Sequence, residues 1–150
     1  MMSKASNTPV VDALKQVLAD TYALQIKTQN YHWNVEGPQF RSLHLMFEEQ
    51  YKELFAAVDE VAERIRALGD YAPGSFKAFS ELTKVSPPKD GIDGQAMVKD
   101  LVKSHELLSE QAKTALAVGE KAGDDSTVDL LTDRITYHDK TAWMLRATAA

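Results

Sequence analysis

"QFRSLHLMFEEQYKELFAAVDEVAERIRALG", residues 39–69, carries apolar side chains at Phe40, Leu43, Phe47, Tyr51, Leu54, Val58, Val61, Ile65 and Leu68. Steps of three and four residues mark one face of an α-helix; a strand would alternate with period two. The pattern predicts a helix from about Gln39 to Leu68, stopped by Gly69, with a seam suited to packing in a bundle. Upstream, Thr8-Pro9 suits a helix start. Val10, Leu14, Val17, Leu18 and Leu24 then keep the same spacing toward Trp33. "EGP" at 36–38 separates these two helices. Residues 1–8 are expected to form a short flexible tail.

Downstream of the long helix the chain is punctuated. "GDYAPG" (69–74) reads as a turn, "SFKAFSELTKV" (75–85) as a short helix, and "SPPKDGIDG" (86–94) as a second break. A third long helix is expected over Gln95–Val118, and a fourth over Ser126–Ala147, separated by "KAGDDS". Two long helices, a long connection and two more predict an all-α, single-domain four-helix bundle over residues 1–150. The extra short helix falls in the crossover between the second and third long helices.

Composition narrows the function. The 150 residues include no cysteine, which excludes disulfides, zinc–thiolate sites and iron–sulfur ligation. No stretch is apolar for long enough to span a bilayer, and "MMSKASNTPVV" lacks the core of a signal peptide. The expected compartment is the cytoplasm. A net charge of −5 disfavours bulk attraction to nucleic acid.

The polar residues of the long helix carry the chemistry. His44 and Glu48 stand four apart and share a face, and Asp59 and Glu63 repeat the arrangement. At 100° per residue all four point away from the apolar seam. Phe55 and Ala62 lie on the same second face, so a partner could bury it. His44 and Asp59 are separated by roughly 22 Å along a helix rising about 1.5 Å per residue. One metal ion, with bonds of about 2 Å, does not bridge that gap. Within one chain these are two half-sites. In a two-fold dimer with antiparallel long helices crossing near Glu53 and Leu54, His44 and Glu48 of one chain meet the acidic pair of the other. His32, just before the break, can join them. Imidazoles with carboxylates and no sulfur suit redox-active iron, and zinc can occupy the same ligands. The spacing also describes a solvated acidic face, and a histidine near a helix end also serves as a cap; spacing alone leaves these readings open.

"HWNVEGPQFRSLHLMFE" (32–48) and "VDEVAERIRALGDYA" (58–72) together resemble the two patterns of the Dps family, the mini-ferritins that protect bacterial DNA in starvation and oxidative stress. The resemblance spans essentially the whole chain. It implies a ferritin-like bundle, a twelve-subunit hollow shell, and ferroxidase sites at the two-fold interfaces. Carried over, His32, His44 and Glu48 come from one subunit and Asp59 and Glu63 from its partner, with Trp33 against the iron. Glu48 stands where many relatives have Asp. The implied reaction is oxidation of Fe(II), preferably by hydrogen peroxide and otherwise by oxygen, at sites of up to two ions, with ferric mineral stored inside. Acidic residues at matching positions line iron-entry pores in relatives, which points to Glu120, Asp125 and Asp129. The same acids also complement a helix dipole.

DNA binding is the alternative role, with the cage coating the nucleoid. Several relatives bind through a lysine-rich tail, whereas the only charged side chain before the first expected helix is Lys4. Direct binding is therefore expected to be weak and salt-sensitive. Neither His105 nor His138 has a Glu three residues before it, so the intrachain Glu-x-x-His site of ordinary ferritins is not written here. Both are expected to be structural or exposed. Trp143 is expected to pack in the bundle or at a subunit contact.

Overall fold

The computed structural model describes residues 4–150, and five α-helices account for its regular structure. They are α1 (Lys4–Asn34), α2 (Phe40–Ala67), α3 (Phe76–Leu82), α4 (Gly94–Lys121) and α5 (Asp125–Ala149). The fold is the expected all-α bundle: α1 packs along α2 and α4 along α5, α1 crosses to α4, and α3 rests on α1. Among the described residues no helix is long and apolar enough to cross a membrane.

Local chemistry explains most of the boundaries. Asp93 caps α4 by accepting from the Ala96 N–H at 2.8 Å, and Ser75 caps α3 through the Ala78 N–H. α2 and α4 end alike. Asp70 N–H reaches back to the Ile65 carbonyl and Asp124 N–H to that of Gly119, over glycines at φ 96° (Gly69) and 70° (Gly123). This is the six-to-one closure that a left-handed glycine permits.

The start of α1 differs from expectation. The helix begins at Lys4, so Pro9 lies inside it, and residues 4–8 are not a tail; residues 1–3 lie outside the described residues. Pro9 has no N–H, which costs the helix one bond. Tertiary contacts offset this: the Asn7 carboxamide donates to the Leu68 carbonyl at 2.9 Å, and Val10 and Val11 are buried. The α2 seam also shifts. Its buried side chains are Leu43, Phe47, Gln50, Leu54, Ala57, Val61 and Ile65, whereas Phe40 is exposed and Tyr51, Val58 and Leu68 are half-buried.

Two apolar clusters fill the bundle. One gathers Leu24, Tyr31, Leu43, Phe47, Leu54, Leu101 and Leu145; the other gathers Leu14, Leu18, Val61, Ile65, Phe79 and Leu131. Polar side chains of α1 fasten the crossover. Asp20, fully buried, accepts from Thr83 Oγ1, the Lys84 N–H, Gln16 and Gln111, all within 3.0 Å. Lys27, also fully buried, pairs with Asp100 at 2.9 Å and donates to Ser86 and Ser104. Tyr31 donates to Asp100 and accepts from the Lys89 N–H. Residues 20, 27 and 31 fall seven and four apart, so one stripe of α1 does this work.

Candidate metal centre

The break between α1 and α2 folds two histidines onto one another. His32 Nδ1 lies 2.7 Å from the His44 carbonyl, and His44 Nδ1 lies 2.7 Å from the His32 carbonyl. A carbonyl only accepts, so both Nδ1 atoms carry hydrogen and donate. In the neutral rings this tautomer puts the lone pair on Nε2, the state a metal-binding imidazole requires. The rings stack with centroids 3.8 Å apart; Phe40 stacks on the far face of the pair against His44, and Tyr51 meets His32 edge-on. Phe40, expected in the core, thus supports the histidines instead.

Glu48 completes this half. Its Oε1 is 3.9 Å from His32 Nε2, and its Oε2 is 3.3 Å from Lys52 Nζ. Lys52 escaped the sequence reading, although its position four after Glu48 was the available signal. His32 is buried, while His44 and Glu48 are half-buried.

Asp59 and Glu63 lie further along the unbroken α2, both exposed. Asp59, through hydrogen bonding and then through its charge, pushes Glu63 above the ordinary carboxylate range. Two carboxylates held this close concentrate negative charge that a bound cation would relieve. Among the described residues of a single chain, no three His, Asp or Glu side chains assemble a metal site. Beside the histidines runs a groove of about 610 Å³ whose lining includes Tyr22, Ile26, Trp33, Tyr51, Phe55 and Phe76. Trp33 and Phe55 each expose 64 % of their surface.

Glu120, Asp125 and Asp129 are exposed around the α4–α5 junction. The buried acid there is Asp124. Burial pushes it up, but hydrogen bonds from Thr127 and the Arg64 guanidinium at 2.7 Å outweigh that and hold it below its ordinary value. It caps α5. Trp143 does not pack in the bundle: it is 59 % exposed on α5. His105 and His138 are both buried.

The profile of the ferritin-like domain family matches residues 11–150. The chain is 36% identical over 141 residues to DNA protection during starvation protein 2 of Bacillus anthracis, covering 94% of this chain and 97% of that one. A low temperature-induced protein of Nostoc is 41% identical over 140 residues, 92% of this chain and 78% of its own. The crystal structure of the Dps protein of Vibrio cholerae O1 superposes with a TM-score of 0.95 at 32% identity, covering 99% of this chain and 94% of that one. That protein is described as one of the ferritin-like diiron-carboxylate proteins. The fold and this match place the chain in the ferritin-like class, which supports a role in iron storage and protection. Within that class it belongs to the Dps family.

Proposed function

We propose that the protein is a ferroxidase and iron store whose sites are completed across a two-fold interface. His32, His44 and Glu48 of one subunit bind Fe(II) together with Asp59 and Glu63 of a second, in a shell of twelve. The observation that carries this reading is the reciprocal His32–His44 clasp, which leaves both Nε2 atoms unoccupied by hydrogen bonds to the backbone. It is joined by an acidic pair on the same continuous helix, too far away to reach the same ion within one chain.

Each residue then has a task. The imidazoles hold the ions without neutralising them, and the carboxylates compensate the charge gained as Fe(II) becomes Fe(III). Two ferrous ions each give one electron, the O–O bond of peroxide breaks, and two protons are taken up to leave two waters. Delivering both electrons together avoids release of a one-electron radical. Trp33 lies beside the site, and Glu120, Asp125 and Asp129 guide iron toward the interior. The same donors suit zinc, which would occupy the site without turnover. DNA protection follows from removing iron and peroxide; direct DNA contact is weak and salt-sensitive, since Lys4 lies within α1 and net charge is −5.

The test is anaerobic loading with Fe(II) followed by peroxide, monitored by ferric absorbance and peroxide consumption. Consumption of about one peroxide per two irons is expected, with the fast phase lost in a His44→Ala/Asp59→Ala variant. Oxidation no faster than in buffer would remove the ferroxidase reading.

A further inference from the structure

Two of the four histidines take no part in the proposed metal centre. His105 on α4 and His138 on α5 are 0% and 1% exposed, and their Nδ1 atoms are 2.9 Å apart. Arg134 sets the direction of hydrogen bonding between them. Its Nη2 lies 3.4 Å from His138 Nε2 and can only donate, so that nitrogen accepts. His138 therefore carries its hydrogen on Nδ1 and donates to His105 Nδ1. The hydrogen of His105 is then on Nε2, which meets no acceptor among the described residues. The chain admits one hydrogen per ring. A second on His105 would set two N–H groups head to head, and a second on His138 would point at the guanidinium.

The surroundings offer little compensation for added charge. Arg134 is held by Glu53 of α2 at 2.5 and 3.0 Å and lies over the Tyr137 ring. On α5 Asp139 accepts from Ser109 of α4. From α1, Lys27 is paired with Asp100 of α4, and Asp20 is bound by Gln111 of α4. Glu53 meets the cluster through Arg134, which uses both its oxygens, and Glu49, also of α2, acts on Tyr137, the ring against both imidazoles. Burial first, and then the neighbouring charge, hold His105 down at about 3 and His138 well below the ordinary value.

We propose that the His105–His138–Arg134–Glu53 chain is an acid-sensitive latch that closes the α4–α5 seam when both imidazoles are neutral and releases it on acidification. The closed form rejects the proton, whereas an opened seam accepts it at the ordinary histidine value near 6.5. The folded value is depressed, so the latch is fully effective above that pH and is progressively lost as pH falls toward the folded value. Each pH unit across that interval favours the open form about tenfold per imidazole. Its two imidazoles and Arg134 sit on α4 and α5, which carry none of the proposed metal ligands, and Glu53 alone shares α2 with them, so the titrating part of the device stands apart from that reading.

Hydrogen exchange of the assembled protein, followed from about pH 7 to about pH 4.5 and corrected for intrinsic rates, tests this. Wild-type amides of α4 and α5 should open at least tenfold more, while α1 and α2, which carry the other two histidines, change little. In His105→Gln, which keeps a donor and an acceptor but takes up no proton, the α4–α5 acceleration should shrink; His138→Gln is the second variant should the first not fold. Equal acceleration across all four long helices, or none, overturns the latch in the wild type alone. So does an unchanged acceleration in a folded glutamine variant.

Discussion

His32 and His44 are held by each other's backbone carbonyls, so neither ring depends on a distant partner for its orientation. That makes the first half-site preorganised, and a metal arriving at Nε2 finds rings already aimed. Lys52 works the other way. Its ammonium, 3.3 Å from Glu48, competes with any cation for that carboxylate. Replacing Lys52 with Met should tighten Fe(II) binding about two- to fivefold, in keeping with the worth of one exposed ion pair. Anaerobic calorimetric titration would show it; weaker binding would mean that Lys52 positions Glu48 instead. The candidate residues and their spacing were legible because His44–Glu48 and Asp59–Glu63 are i, i+4 pairs on one helix. The tautomers were not, since each is set by a carbonyl twelve residues away.

At the scale of elements, α2, α4 and α5 were legible from periodicity and from the breaks at Gly69, "SPPKDGIDG" and "KAGDDS". The start of α1 was not. Proline rules are local, and they miss a first turn tied to Leu68, sixty-one residues on. The buried polar stripe of α1 was hidden for the same reason, because the partners of Asp20 and Lys27 lie 59 to 91 residues away apart from Gln16. Asp20→Ala would leave the Thr83 and Lys84 donors at the end of α3, and those of Gln16 and Gln111, without their shared acceptor and should cost about 3 kcal/mol, read by chemical or thermal unfolding. A loss below about 0.5 kcal/mol would show that the crossover is fastened elsewhere. Gly94 opens α4 against the site-bearing turn. A Cβ there would come within 2.7 Å of Leu43 Cδ1 and 3.4 Å of Val35 Cγ2. Gly94→Ala should therefore destabilise by about 1–2 kcal/mol through overpacking. Because Leu43 precedes His44, it should also slow iron oxidation; unfolding and stopped-flow data on the same variant check both effects.

On the scale of the whole molecule, the chain leaves large apolar side chains in water on more than one face. Trp33, Phe55 and Phe76 line the groove beside the histidines, and Trp143 and Met144 project from α5. Exposure of this kind marks surfaces meant for burial, and it accompanies a proposed metal site that one chain would leave in two parts. The separation itself was readable in the sequence, because a continuous helix fixes distance by residue count. The spacing offered an antiparallel pairing of the long helices but could not select it over a solvated face, since assembly is set by surface shape. The central claim is that His44 and Asp59 serve the same site from different subunits, and complementation tests it most directly. His44→Ala and Asp59→Ala proteins, each inactive alone, are unfolded together and refolded as a mixture. A mixed two-fold pair carries one doubly defective site and one intact site, so about a quarter of all sites should recover at equal, random mixing. Recovery of peroxide-driven Fe(II) oxidation to that level is the predicted result; a mixture as inactive as its components would contradict the shared site.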